Sequence, residues 1–275
     1  YRESGLVQMF EYSGLWKDIG YEVEEGILED GQFVKLARNA NTSPKFLETH
    51  SPVDDLIIFK SFNSNEEQIE WLVSQIEANL QEDELKHDDI MVIHTNPLTT
   101  REAVGKARAL LFEREINSSL AGVTTSPDDF FSENSIVFTS INRAKGNEAA
   151  MIYVINAQSC FSGYELARKR NILFTAMTRS KAWLRVIGYG EGMRRLEAEY
   201  AKVKDEDFAL KFVYPTEEER REMNLVNRDM SPRERERINK KQKDLRELVE
   251  ALDKGEIYKE DLSPEILERL KEKLF

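Results

Sequence analysis

Between residues 54 and 190 the sequence alternates short apolar runs with amphipathic runs of helical length, and this alternation constrains the fold more than any other feature. The apolar runs that predict strands are DLIIFKSF (55–62), DIMVIHT (89–95), SIVFTSI (135–141), AMIYVIN (150–156) and WLRVIGYG (183–190). The amphipathic runs predict helices over 64–80, 99–115 and 165–181. Strands that alternate with helices are typical of an α/β fold in which helices flank a parallel sheet. In such sheets ligands bind beyond the carboxyl ends of the strands.

Two segments of different character flank this alternation. Residues 1–50 contain a helical run (5–20) and two β-like runs around Glu-Asp-Gly, and they predict an accessory helix and β-hairpin segment. Residues 191–275 predict a charged helical extension, in which Ser231 precedes a proline as a helix N-cap. This extension could pack on the central region or bind a protein partner as a coiled coil, and both alternatives stay open. We therefore predict three regions: 1–50, 51–190 and 191–275.

Composition excludes several classes of protein. No apolar run approaches the length of a membrane-spanning helix, so we predict no membrane contact. The single cysteine, Cys160, excludes an internal disulfide framework, and the three histidines lack the spacing of a metal site. We therefore expect a cytoplasmic protein without a metal site of its own. A chain that starts at Tyr1 suggests a fragment of a longer protein.

The charge of the chain is distributed unevenly. The net charge of −12 argues against a generic basic nucleic-acid binder. However, residues 140–190 contain eight Lys or Arg and two Glu, a balance of +6, which leaves −18 on the rest of the chain. This positive segment predicts a site for an anionic ligand, although its cations could also simply face water.

The polar stretch SINRAKGNE (140–148), which we call the elbow, separates two predicted strands. Its side chains suit contacts with a phosphate or a sugar, and Glu148 suits a hydrogen bond from a ribose hydroxyl. Gly146 lets the backbone turn without a Cβ penalty. The alternative interpretation is a solvated corner between two strands.

A helix predicted after the next strand carries Arg179 at its C-terminal end. An arginine on a rigid helix can serve as an arginine finger, which stabilises the charge that develops on a transferring γ-phosphoryl group. The alternative is a surface arginine that pairs with one of the many carboxylates.

The segment FTSINRAKGNEAAMIYVIN (138–156) resembles motif V of superfamily 1 helicases. The segment RKRNILFTAMTRSKAWLRVIG (168–188), which follows it in the chain, resembles motif VI. The Ala-Lys-Gly-x-Glu core is similar to that of the UvrD/Rep-like branch. The resemblance covers about residues 54–190, and it implies the second RecA-like domain of an ATP-dependent helicase or translocase. The chain departs from the family at Asn142, where His is frequent, and at Phe174, where Tyr is frequent.

The resemblance implies roles for individual positions. Arg179 is implied as the catalytic arginine finger. The ATP-binding residues that it implies are Lys145, Gly146, Glu148, Arg170 and Arg179. The residues that it implies for the nucleic-acid backbone are Ser140, Asn142 and Arg143.

These 275 residues contain no Gly-x-x-x-x-Gly-Lys-Ser/Thr phosphate-binding loop. The resemblance therefore implies that ATP and Mg²⁺ are bound mainly by an N-terminal RecA-like domain of the same protein, and that this chain alone does not hydrolyse ATP. It also implies single-stranded DNA or RNA as a partner. Two other classes stay open: a non-catalytic module that binds single-stranded nucleic acid on the same fold, and a protein-interaction domain that acts through its C-terminal helices.

Overall fold

The computed structural model describes residues 8–10, 13–43, 45–125, 129–163, 165–221 and 224–226, together with isolated positions between 237 and 263. The chain divides into two compact units, Tyr1–Val226 and Asn227–Phe275. In the second unit the described positions from 237 to 251 are helical, and Lys243 forms an ion pair with Glu247 one turn further on. The predicted cap at Ser231 lies outside the described residues. The division into three regions stays a prediction.

The first unit contains strands and helices in the order that the chain visits them. The strands are β1 (Gln8–Phe10), β2 (Tyr21–Gly26), β3 (Phe33–Arg38), β4 (Ile57–Phe62), β5 (Ile90–His94), β6 (Ser118–Leu120), β7 (Ile136–Ser140), β8 (Ala149–Ile155), β9 (Ser180–Tyr189), β10 (Leu210–Val213) and β11 (Asn224–Val226). The helices are α1 (Gly14–Asp18), α2 (Val53–Leu56), α3 (Asn65–Gln81), α4 (Thr100–Ala103), α5 (Gly105–Glu113), α6 (Ile141–Ala144), α7 (Leu166–Met177), α8 (Gly190–Asp205) and α9 (Glu217–Arg221). Short 3-10 turns lie at Leu47–Thr49, His87–Asp89 and Ala157–Cys160.

A six-stranded sheet with the order β4-β9-β8-β5-β7-β6 forms the centre of the first unit, and every pair of neighbours in it is parallel. All five residues of β5 are buried, and so are all but one of the residues of β8. Burial on both faces explains why these strands are continuous apolar runs in the sequence. The predicted fold class, a parallel sheet flanked by helices, is confirmed.

Helices cover both faces of this sheet and bury a separate apolar cluster on each. On one face, α3 and α5 contribute Leu72 and Leu111. On the other face, α6, α7 and α8 contribute Ile141, Leu173 and Leu196. The second face is the one on which the elbow and the Arg179 helix pack together.

A smaller antiparallel sheet with the order β10-β3-β2 packs around its own cluster of Trp16, Val34, Leu36 and Tyr214. The predicted hairpin is confirmed by β2 and β3. The third strand, β10, lies within the segment for which the sequence predicts a helical extension. It is a strand because Phe212 pairs with Val34 and its ring packs against Trp16. Residues 8–10 also form a strand, within a run that predicts a helix.

Ser64 begins α3 as the sequence predicts, and its Oγ accepts a hydrogen bond from the Glu67 backbone N–H at 3.2 Å. The Glu67 carboxylate in turn accepts from the backbone N–H of Asn63 at 3.0 Å. These bonds satisfy N–H groups that a helix start leaves without partners. The cap therefore fixes where β4 ends and α3 begins.

We predict that Ser64→Ala lowers the free energy of unfolding by about 1 kcal/mol, because it removes the acceptor at the helix start. Urea denaturation followed by tryptophan fluorescence measures the change. Ser64→Asp, which keeps an acceptor at this position, is expected to remain close to wild type. Equal losses in both variants would contradict the capping role.

A buried polar network joins α3 to the carboxyl ends of β5 and β8. The Thr100 hydroxyl donates to the Asn96 carbonyl, so it accepts from Nδ1–H of His94 at 3.2 Å. Nε2 of His94 then accepts from Nδ2 of Asn156 at 3.3 Å. The Asn156 side chain also accepts from Gln68 at 2.7 Å. Each neighbour of the His94 ring is therefore uncharged, and burial lowers the pKa of His94 below its usual 6.5.

This network predicts a loss of stability in mild acid. Because the pKa of His94 is lower in the folded state than in the unfolded state, the unfolded chain binds a proton more readily once the pH falls below about 6.5. We expect the free energy of unfolding to decrease from that pH downwards, and to decrease less steeply in His94→Gln. Denaturation at a series of pH values tests this. His50→Gln, which removes an exposed histidine, is the control that should keep the wild-type slope.

Candidate nucleotide and nucleic-acid site

The elbow follows β7 as a single helical turn, α6, and then a glycine-broken link into β8. Ile141 and Ala144 are buried beneath α7, which fixes the turn on the sheet. Gly146 has a φ of +90°, a conformation that costs other residues energy, and it turns the chain away from α6. Because the apolar side chains of the elbow face inward, its polar side chains form a row that faces out. The exposed side chains of this row are Asn142, Arg143, Lys145 and Glu148.

The two ends of the elbow lie at opposite ends of the sheet. Ser140 is level with His94 in the strand register, and His94 is level with Ile155 at the carboxyl end of β8. Ala149 begins β8 at the other end and pairs with Ser180. Six residues of parallel strand separate the two levels, which corresponds to roughly 20 Å. The structure therefore separates Ser140, at the carboxyl end, from Glu148, at the amino end.

Arg179 lies at this amino end, directly after α7. Its backbone carbonyl accepts a hydrogen bond from the Ala149 N–H at 3.2 Å, so the turn after α7 is joined to the residue that follows Glu148. Its guanidinium donates from Nε to the Thr175 carbonyl at 3.2 Å and from Nη2 to the Thr178 hydroxyl at 3.3 Å. These acceptors are neutral, and Arg179 forms no ion pair with any described residue. The structure thus brings Arg179 and Glu148 to the same end of the sheet.

Arg143 packs against the loop that follows β6. Its guanidinium covers Gly122 so closely that a Cβ on Gly122 would lie 2.1 Å from the Arg143 Cζ. Gly122 also has a φ of +68°, which favours glycine. The Arg143 backbone carbonyl accepts from Nδ2 of Asn147 at 3.3 Å. Sequence reasoning missed Gly122, because its contact with Arg143 joins two segments that are distant along the chain.

Arg170 lies away from Arg179, on the side of α7 that faces α8. Its guanidinium donates two hydrogen bonds to the Glu199 carboxylate, at 2.7 and 2.9 Å, and it stacks over the Phe161 ring. Nine residues of helix rise separate it from the Arg179 turn, which is about 13 Å. The structure therefore gives Arg170 a structural partner and does not bring it together with Glu148. Its assignment to ATP stays a prediction.

A groove of about 520 Å³ separates the elbow from α7. We call it the α6–α7 groove. The residues that line it are Ile141, Asn142, Lys145, Arg168, Asn171, Ile172 and Thr175. Two of them, Asn142 and Lys145, were assigned from sequence, and the four on α7 were not. The sequence does indicate that these four residues share one face of α7, because positions 168, 171, 172 and 175 are at helical spacing.

Other reactive groups do not form a second site among the described residues. Burial raises the pKa of the Cys160 thiol, so this side chain is a neutral core residue rather than a thiolate nucleophile. Within the same residues no group of three or more His, Cys, Asp or Glu is arranged to hold a metal ion. Nor does any helix of the described chain have the length and apolar character to span a membrane.

Similarity to known proteins covers part of the chain. No curated protein sequence is similar enough to match this chain. Among solved structures, the C-terminal domain of a possible DNA helicase from Lactobacillus plantarum WCFS1 is similar at 20% identity, with a TM-score of 0.37, over 50% of this chain and 74% of that chain.

The family model described as the UvrD-like helicase C-terminal domain matches residues 135–187. This segment runs from the start of β7 through the elbow, α7 and the Arg179 turn into β9. Residues 135–187 are therefore similar to UvrD-like helicase C-terminal domains, as the sequence resemblance indicates.

Proposed function

We propose that this chain is the second RecA-like domain of an ATP-dependent superfamily 1 helicase or translocase that acts on single-stranded nucleic acid. The observation that carries the proposal is the arrangement at the amino end of the sheet. There Arg179 keeps a cation that no described carboxylate neutralises, and a backbone hydrogen bond joins it to the residue after Glu148. An arginine finger needs a rigidly held backbone and a guanidinium that no carboxylate neutralises, and Arg179 in the turn after α7 has both among the described residues.

In this proposal ATP binds between this chain and a first RecA-like domain, which also holds Mg²⁺. Arg179 stabilises the charge that develops on the γ-phosphoryl group, and Glu148 accepts a hydrogen bond from the ribose. Both residues lie at the amino end of the sheet, next to the β8–β9 pairing. Lys145 and Gly146 shape the link that presents Glu148.

The other end of the elbow is proposed to bind the strand. Ser140 and Asn142 offer neutral hydrogen-bonding groups, and Arg143 offers a cation, for the phosphate-sugar backbone. The elbow is one continuous packed segment, so a shift of its nucleotide end is transmitted to its nucleic-acid end. Closure of the two domains around ATP, and opening after hydrolysis, would thereby move the domains along the strand.

The proposal predicts the effect of removing the finger. Because these 275 residues contain no phosphate-binding loop, the test uses the protein that contains both RecA-like domains, and the chain alone is expected to show no ATP hydrolysis. In that protein, Arg179→Ala should lower kcat for strand-stimulated ATP hydrolysis by about 10³-fold or more while ATP binding is kept. A coupled assay of phosphate release measures kcat, and nucleotide titration measures binding.

Lys181→Ala is the matched control, because Lys181 is an exposed cation two residues from Arg179. It should leave kcat within a few-fold of wild type. If the Arg179→Ala variant also hydrolyses ATP at the wild-type rate, Arg179 has no catalytic role in spite of its resemblance to motif VI. A module that binds nucleic acid without hydrolysing ATP then becomes the better interpretation.

A second prediction concerns Arg143. Gly122→Ala should displace the Arg143 guanidinium, since the new Cβ would occupy its place. We expect the affinity for a labelled oligo(dT) strand to fall several-fold, as measured by fluorescence anisotropy. Gly31→Ala is the control: Gly31 also has a positive φ, +73°, but a Cβ there meets nothing. Both variants should lose roughly 1 kcal/mol of stability through backbone strain, and only Gly122→Ala should lose affinity. If Gly122→Ala and Gly31→Ala bind oligo(dT) with equal affinity, Arg143 does not belong to the nucleic-acid site.

A further inference from the structure

The α6–α7 groove has a charge pattern that is unusual for this protein. Lys145 projects into it from the elbow, and Arg168 projects into it from α7. Among the described residues no carboxylate lines the groove, although the chain as a whole carries a net charge of −12. Lys145 forms no ion pair with any residue that the structure describes. The groove is therefore an electropositive cleft on an acidic protein, which favours an anionic ligand.

The remaining lining groups restrict the class of anion. Asn142 lines the groove from the elbow and Asn171 lines it from α7, and both offer amide N–H donors, while Ile141 and Ile172 give it an apolar lining. A simple inorganic anion has no use for apolar walls. A phosphate attached to a sugar fits both features, because the phosphate takes the cations and amides and the sugar covers the isoleucines.

The groove lies next to the end of the elbow that we propose to bind single-stranded nucleic acid. Residues 168, 171 and 175 lie at helical spacing on α7, so the α7 wall is about 10 Å long. The opposite wall is the elbow between its proposed strand end and its proposed nucleotide end. A single strand of nucleic acid that contacts Ser140 at the carboxyl end of the sheet can therefore continue into the groove.

We propose that Arg168 and Asn171 bind a backbone phosphate of single-stranded nucleic acid in the α6–α7 groove, opposite Asn142 and Lys145. The inference rests on the proposed function and extends its strand site from the elbow onto α7. Lys145, which the resemblance assigns to ATP, contacts the strand phosphate in this arrangement. The same chemistry could serve a phosphate of the nucleotide, and the experiment separates the two sources.

In the part of the chain that the structure describes, Arg168 has a competing partner in Glu165, whose carboxylate accepts from it at 3.0 Å one turn earlier on the chain. Both side chains of this pair are exposed, 73% and 48%. Exposed pairs at this spacing contribute little, because water and salt screen them. A phosphate can therefore replace the Glu165 carboxylate as the acceptor for the Arg168 guanidinium, or share the guanidinium with it.

The test measures binding of a fluorescein-labelled oligo(dT) strand to the 275-residue chain over a series of salt concentrations. Arg168→Gln should weaken binding about tenfold in low salt and reduce the slope of log K against log [salt] by about 0.7, the value for one lost phosphate contact on a single strand. Asn171→Ala should weaken binding several-fold with an unchanged slope, because it removes a neutral hydrogen bond. Arg168→Lys should restore the slope.

Arg194→Gln is the matched control. Arg194 is an exposed arginine that pairs with Glu191 at the same i,i+3 spacing and a similar distance, 3.1 Å, and it does not line the groove. Its loss removes the same charge and the same kind of ion pair. Affinity and slope in this variant should match those of wild type.

Three results would overturn the inference. If Arg168→Gln and Arg194→Gln behave alike while wild type binds the strand with a salt-dependent affinity, the groove is not a strand site and the proposed function stands. If ATP or inorganic phosphate displaces the strand from wild type, and Arg168→Gln loses affinity for ATP, the groove serves the nucleotide. If wild type does not bind the strand at all in low salt, both the groove and the proposed nucleic-acid role fail.

Discussion

The short crossover from β7 to β8 is the constraint on which the functional face depends. Both strands pair with β5, one on each side, so residues 141–148 must pass over β5 and return the length of the sheet. This requires about 20 Å along the strands and about 10 Å across them, or roughly 22 Å in all. One helical turn and five extended steps supply about 22 Å. There is consequently room for one turn of helix and no more, and parallel crossovers are usually longer.

The tight crossover explains the chemistry of the elbow. Because the link lies flat on the sheet beneath α7, its inward-facing residues must be small or apolar, and Ile141 and Ala144, one helical turn apart, fill those positions. The polar residues of the elbow point outward, where a ligand can contact them. The link has little slack, so one short packed segment connects the proposed nucleotide end to the proposed strand end.

Much of the fold could be predicted from the sequence, because burial on both faces leaves unmistakable apolar runs. The strands of the large sheet, the α3 cap at Ser64 and the β2–β3 hairpin follow from local patterns. The short strand β6 and the strand β10 do not, since each has few residues and depends on a partner elsewhere. The polar residues of the elbow could also be named from sequence. The ion pair of Arg170 with Glu199 could not, because α8 begins twenty residues after it.

The sequence by itself determined which elements form and which residues face outward, since periodicity and local hydrogen bonding act within a few residues. The order of two motifs within it also indicated the resemblance to superfamily 1 helicases. Only the tertiary structure decided which ends meet: strand register placed Ser140 and Glu148 at opposite ends of the sheet, and packing of α6 against α7 created the groove that Arg168 lines. The physical reason is that register and packing are set by contacts between segments distant along the chain, to which a local pattern is blind.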